Sequence, residues 1–171
     1  MTKSSLRAWA RDLVISVLAS VFIITVLWQP VRVEGTSMQP GLMNHDRLFI
    51  NKFFFRFEKI HRGEIVVFHY PLDPRKSYIK RVIGLPGQTI KIVRGQVYID
   101  GQPIKEPYVP ARYRDTRSMA PLVIPPHMYF VLGDHRSISS DSRDFGPVPR
   151  KLIYGEAEFV YWPVDAMGAV R

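Results

Sequence analysis

The strongest constraint in this sequence is an uncharged, apolar run over residues 13–28. A helix that crosses a bilayer needs about 20 apolar residues, and the run reaches that length when it is counted from Trp9. Trp9 and Trp28 then stand near its two ends, where tryptophan suits the interfacial regions of a bilayer. We therefore predict a transmembrane anchor at residues 13–28.

The charges before the run predict its orientation. Three basic residues precede it: Lys3, Arg7 and Arg11. Positive charge keeps the preceding segment in the cytoplasm, so we expect residues 1–12 inside and residues 29–171 outside. A buried core helix would normally show a polar stripe, which is absent. A cleaved signal peptide would normally be followed by an Ala-x-Ala-like site, whereas Trp-Gln-Pro follows here. An uncleaved anchor is therefore favoured over these two alternatives.

Composition narrows the chemistry open to the rest of the chain. Its 171 residues contain no cysteine, which excludes disulfides, thiol catalysis and thiolate metal sites. The formal net charge of +9 favours an anionic partner, and beside an apolar anchor we expect anionic membrane lipids rather than nucleic acid. The five histidines lack paired metal-ligand spacing, so we expect no metal and no cofactor.

Beyond Pro30 the pattern changes to short runs of β-branched and aromatic residues. We predict strands at residues 47–55, 64–70, 77–84, 88–100, 128–133 and 155–164. Asp100-Gly101 predicts a type I′ hairpin turn, and residues 105–119 predict a mobile loop. The dense aromatic cluster at residues 53–57 is either core or a patch at the lipid interface. The predicted fold is mainly β, with an antiparallel sheet domain over residues 29–171 and a smaller hairpin-containing subdomain at about 88–127.

Three further segments stand out in order behind the anchor. They are VEGTSMQP at residues 33–40, YIKRVIGLPG at residues 78–87 and GDHRSISSDSR at residues 133–143, the last followed by FGPV at 145–148. Singly, each is ordinary turn or strand chemistry. Together they resemble the type I signal (leader) peptidases of bacteria.

The resemblance implies a membrane-bound serine endopeptidase that cleaves signal peptides from exported preproteins on the outer side of the bacterial cytoplasmic membrane. Its catalytic domain is a β-sheet domain. By this resemblance the nucleophile is Ser37, the general base is Lys80, and Ser139 orients the lysine. The substrate-binding candidates are Met38, Leu42, Tyr78 and Ile79. A structural polar network is implied for Asp134, Arg136, Asp141 and Arg143.

Three positions depart from the family pattern. His135 stands where asparagine is usual, and Gly41 replaces a common threonine. Gly35 occupies a position where some members carry a serine that helps to bind the oxyanion. Because glycine has no hydroxyl, we expect the oxyanion hole to depend on backbone N–H groups, chiefly that of Ser37.

Lysine can act as a base only when it is neutral, and burial lowers its pKa by penalising the charged form. The apolar stretch around Lys80 suits such burial. Strand alternation places Lys80 and Arg81 on opposite faces, so one of them must face a buried region or be paired. Other classes remain as alternatives: a basic nucleic-acid-binding β domain, a catalytically silent membrane-anchored binding protein, and a self-cleaving repressor with Ser/Lys chemistry.

Overall fold

The computed structural model describes residues 3–52, 55 and 58–170, with backbone alone at residues 3–8 and 23–27. The chain begins with helix α1 (Lys3–Leu27), followed directly by strand β1 (Trp28–Arg32). Pro30 cannot continue a helix, and it drives the residue before it towards extended geometry. The helix therefore ends one residue before the predicted end of the apolar run. Among the described residues, no helix combines the length and the apolar character that crossing a bilayer requires.

Eleven more strands follow within the described residues. They are β2 (Arg47–Asn51), β3 (Ile65–Tyr70), β4 (Asp73–Gly84), β5 (Thr89–Val93), β6 (Gln96–Ile99), β7 (Gln102–Pro103), β8 (Met119–Val123), β9 (Met128–Leu132), β10 (Val148–Pro149), β11 (Ile153–Trp162) and β12 (Gly168–Ala169). Helix α2 (Ser142–Phe145) lies before β10, and single 3₁₀ turns occur at Ala111–Tyr113, Arg150–Leu152 and Val164–Ala166.

The strands form two antiparallel sheets. The larger has the order β1-β2-β11-β3-β4-β9-β10, with β12 added beside β11, and the smaller has the order β7-β6-β5-β8. The prediction of a mainly antiparallel β fold is confirmed. A shared apolar cluster joins the sheets, since Ile83 and Phe130 of the larger sheet pack with Ile90 and Val97 of the smaller one.

Two hairpin turns shape the smaller sheet. Asp100 and Gly101 have φ of 51° and 81°, as a type I′ turn requires, which confirms that prediction. Arg94 and Gly95 have φ of 47° and 81° and form a second such turn. The prediction of one strand over residues 88–100 was therefore wrong, because the Arg-Gly pair reverses the chain between β5 and β6.

Two other predictions concern segments outside these strands. Residues 105–119 have little regular structure, as expected for a loop, yet ion pairs from Glu106 to Arg136 at 2.5 Å and from Asp115 to Arg143 at 2.6 Å hold the segment in place. Of the aromatic cluster at residues 53–57, Phe55 is buried at 2% exposure. The other members lie outside the described residues.

Candidate active site

Ser37 and Lys80 meet in the lining of one surface cleft. Ser37 lies in the turn between β1 and β2, and Lys80 lies on β4. Lys80 Nζ donates a hydrogen bond to Ser37 Oγ at 2.6 Å. Ser37 is half-buried and Lys80 is 4% exposed, so the amine is enclosed while the hydroxyl faces the cleft.

Buried apolar residues anchor the turn that carries Ser37 in the core of the larger sheet. Met38 and Leu42 are fully buried and pack with core residues of the larger sheet. Leu42 N–H donates to the Met38 carbonyl at 3.0 Å, and Val33 N–H donates to the Asp46 carbonyl at 2.8 Å. The apolar residue that follows Ser37 thus enters the core, and Ser37 itself stays at the surface of the cleft.

The surroundings of Lys80 disfavour its charged form. Burial lowers the pKa of Lys80 from 10.5 to about 8, and the negative charges of Asp141 and Asp134 oppose this shift only in part. Val66 stands opposite Lys80 across the β3–β4 pair, whereas the Tyr78 ring, 5.2 Å from Nζ, makes a cation–π contact that opposes the shift weakly. With a pKa of about 8, the amine of Lys80 is neutral in roughly a tenth of the molecules at pH 7.

Arg81 points to the other face of β4 and is buried as well, at 3% exposure. Its guanidinium donates two hydrogen bonds to the Asp134 carboxylate, at 2.9 and 2.7 Å. A third bond runs to the Gly63 carbonyl at 2.7 Å. The alternation argument required burial or pairing of only one basic residue. The structure buries both and pairs Arg81 with a carboxylate.

The remaining polar candidates form a network behind the site. Arg143 binds both Asp141 carboxylate oxygens at 2.7 Å, and Asp141 in turn caps α2 and accepts the Gly133 N–H at 3.1 Å. Arg136 donates to the Gly133 carbonyl and to Glu106. Sequence reasoning missed the partners in the 105–119 segment, which are Glu106, Asp115 and Arg117. Their only signal was the mixed charge of that segment.

Ser139 is buried beside this network. Among the described residues its Oγ makes no hydrogen bond of good geometry, but it lies within reach of the Asp141 carboxylate. The Ser139 side chain occupies the space next to Gly133. A Cβ on residue 133 would overlap it, so only glycine leaves room for Ser139. No hydrogen bond joins Ser139 to Lys80 in the described part of the chain, so an orienting role for Ser139 remains a proposal.

The cleft has a volume of about 820 Å³ and runs between β4 and the segment from Val31 to Ser37. Tyr78 and Ile79 line it, as expected of substrate-binding candidates. Met38 and Leu42 do not line it, because their side chains lie in the core beneath it. Sequence alone could not separate these two pairs, since all four residues are apolar or aromatic and lie close to Ser37 or Lys80 in the sequence.

Backbone groups complete the site around Ser37. Among the described residues, no acceptor receives a hydrogen bond from Ser37 N–H. Gly35 has φ of 102°, a conformation that disfavours residues with a side chain, and nothing lies within 4 Å of the position a Cβ would take. No group of three metal-ligating side chains occurs within the described ranges.

The family model, the similar sequences and the similar solved structure that this chain matches are all signal peptidases. Residues 6–162 match the family model described as signal peptidase, peptidase S26. The chain is 36% identical over 172 residues to signal peptidase I of Bacillus amyloliquefaciens, covering 95% of this chain and 91% of that protein. It is 35% identical to signal peptidase I S of Bacillus subtilis, covering 96% and 94%. A crystal structure of a signal peptidase I from Enterococcus faecalis aligns with a TM-score of 0.52 and 32% identity, covering 58% of this chain and 97% of that one.

Proposed function

Because this chain belongs to the peptidase S26 family of signal peptidases and is a serine endopeptidase, we propose that it removes signal peptides from exported preproteins with Ser37 as nucleophile and neutral Lys80 as general base. The 2.6 Å contact between Lys80 Nζ and Ser37 Oγ carries this assignment. It joins residues 43 positions apart in a cleft large enough for a peptide.

The proposed reaction begins with proton transfer from the Ser37 hydroxyl to the neutral amine of Lys80. The Ser37 oxygen attacks the scissile carbonyl and forms a tetrahedral intermediate. Its oxyanion is stabilised by the Ser37 N–H. The ammonium of Lys80 then protonates the leaving amine, which departs as the new amino terminus. The signal peptide is then held as an ester on Ser37. Lys80 takes a proton from water, the resulting hydroxide attacks the ester carbon, and the Ser37 oxygen leaves and recovers its proton from Lys80 as the signal peptide is released with a new carboxyl terminus.

The edge of β4 supports binding of an extended substrate. β9 pairs with β4 only from Arg81 onwards, so the preceding residues have a main-chain edge on the cleft side to which a peptide can add by β-augmentation. Tyr78 and Ile79 lie on this stretch. Their apolar surfaces suit small apolar side chains next to the scissile bond.

Membrane attachment is part of the proposal and is supported by the sequence. The apolar run at residues 13–28 and the basic residues before it favour a single-pass anchor with the amino terminus in the cytoplasm. In this arrangement residues 29–171 form the peptidase domain on the outer side of the bacterial cytoplasmic membrane, with about 88–127 as a smaller inserted subdomain. Ser37 follows the anchor closely, which suits a substrate that is itself held in the bilayer. Anionic lipids remain the expected surface partner.

A cleavage assay tests the assignment. The full chain in detergent is incubated with a preprotein, beside Ser37→Ala and Lys80→Ala and two exposed controls, Ser137→Ala and Lys91→Ala. We expect both dyad variants to stay folded and to show no detectable cleavage, while both controls keep wild-type rates. Cleavage retained by Lys80→Ala would refute the assignment of the base.

A further inference from the structure

His135 binds two successive carbonyl groups of the turn that carries Ser37. Its backbone N–H donates to the Ser37 carbonyl at 3.0 Å, and its ring Nδ1 lies 3.3 Å from the Thr36 carbonyl oxygen. A carbonyl oxygen can only accept, so Nδ1 must carry the hydrogen in this contact.

The contact with the Thr36 carbonyl also controls the direction of the Ser37 N–H. These two groups belong to one planar trans peptide unit, in which C=O and N–H point in opposite directions. Whatever holds the Thr36 oxygen therefore aims the Ser37 N–H, which is the proposed oxyanion donor. The Thr36 oxygen also accepts the Gln39 N–H at 3.2 Å, but that donor belongs to the same turn and moves with it. His135 ties the peptide unit to a separate element.

The ring of His135 is itself held from outside the larger sheet. Tyr113 contacts it edge to face, with ring centroids 4.5 Å apart at 78°. Tyr113 lies in the 105–119 segment, and the Glu106–Arg136 ion pair fastens that segment to the residue after His135. A line of contacts thus leads from the 105–119 segment, which connects β7 and β8, to the peptide unit before Ser37.

We propose that His135 is a positioning residue that aims the Ser37 N–H at the oxyanion, with Tyr113 holding the His135 ring. The inference rests on the proposed role of Ser37 as nucleophile. Gly35 supplies no hydroxyl to the oxyanion, which makes the direction of this backbone donor more important. Loss of a whole oxyanion donor costs about 10²–10³ in kcat. A donor that stays present but is less well aimed should cost less, about tenfold.

Four variants test this role: His135→Val, His135→Asn, Tyr113→Leu and the exposed control His61→Val. Asparagine keeps a side-chain N–H that can donate to the Thr36 oxygen, and valine does not. For each variant we would measure kcat and KM on a signal-sequence peptide and the inhibition constant of a peptide aldehyde, whose serine adduct mimics the oxyanion. Binding of the uncleaved peptide is measured with each substitution placed in a Ser37→Ala background.

We expect His135→Val to lower kcat about tenfold and to weaken the aldehyde by the same factor, with KM and peptide binding unchanged. His135→Asn should restore kcat to near the wild-type value, Tyr113→Leu should fall between, and His61→Val should match the wild type. The inference is overturned if His135→Val keeps wild-type kcat, if it weakens peptide binding as much as aldehyde binding, or if His135→Asn is no better than valine. Should His135→Val fail to fold, the test compares Tyr113→Leu with His135→Asn: kcat and aldehyde affinity should fall together in the first and stay near the wild-type values in the second. A wild-type chain that cleaves no signal-sequence peptide would instead refute the proposed function.

Discussion

Arg81, next to Lys80 in sequence, and Asp134 form a buried two-point ion pair, with contacts of 2.9 and 2.7 Å. Arg81 follows Lys80 on β4, and Asp134 lies in the loop after β9. The pair therefore holds β4 against the loop that contacts the turn of Ser37. Lys80 points into the cleft from a strand whose opposite face is fixed in this way.

Breaking this pair on one side should be costly. Arg81→Met leaves the Asp134 carboxylate buried without its guanidinium, and we expect a loss of about 3–5 kcal/mol in the free energy of unfolding. The double variant Arg81→Met/Asp134→Leu removes both charges and should recover most of that loss. Urea unfolding of the two variants and the wild type measures the difference. A double variant no more stable than the single one would contradict this account.

The pH dependence of cleavage should report the neutral form of Lys80. Burial lowers its pKa to about 8, and only the neutral amine can accept the Ser37 proton. We expect kcat/KM to fall about tenfold per pH unit below 8 and to level off above it. The measurement is a pH profile on a peptide substrate from pH 5.5 to 9.5. A bend near pH 6.5 with no bend near 8 would point to a histidine base.

The same shift makes Lys80 unfavourable for stability at neutral pH. The unfolded chain binds the lysine proton more tightly than the folded chain, so the full cost is present below pH 8, shrinks as the pH rises towards 10.5 and is absent above it. Its size is about 3 kcal/mol. We expect Lys80→Met to be inactive and up to that much more stable than wild type at pH 7, with the gain disappearing near pH 10.5. Exposed Lys91→Met is the control, and an equal gain there would argue against burial as the cause.

Gly133 should tolerate no side chain. A Cβ at this position would lie 2.6 Å from the Ser37 carbonyl oxygen and would overlap the Ser139 hydroxyl. We expect Gly133→Ala to cost about 1–3 kcal/mol through overpacking and to impair cleavage by displacing the turn of Ser37. Gly41→Ala is the matched control, since its Cβ would meet only ordinary contacts at 3.6 Å. Thermal unfolding and cleavage rates of both variants check this, and equal behaviour of the two would contradict it.

Local features of this fold were readable from sequence because neighbouring residues determine them. The apolar run is helical, Pro30 lies in the strand that follows it, and Asp100-Gly101 closes a hairpin with both φ angles positive. The Arg94-Gly95 turn escaped prediction because arginine is uncommon where φ is positive, and the strand-like residues on both sides suggested continuity.

By itself, the sequence determined the family, because short motifs carry it, and the antiparallel β class, because runs of β-branched and aromatic residues indicate it. Only the tertiary structure decided that Lys80 Nζ meets Ser37 Oγ, that Met38 and Leu42 belong to the core, and that Glu106 pairs with Arg136. Contacts of this kind join residues far apart along the chain, and they form only once the strand order of the larger sheet and the loops beside it are in place. The burial that lowers the pKa of Lys80 has the same origin, since neither strand alternation nor local composition specifies which face the core covers.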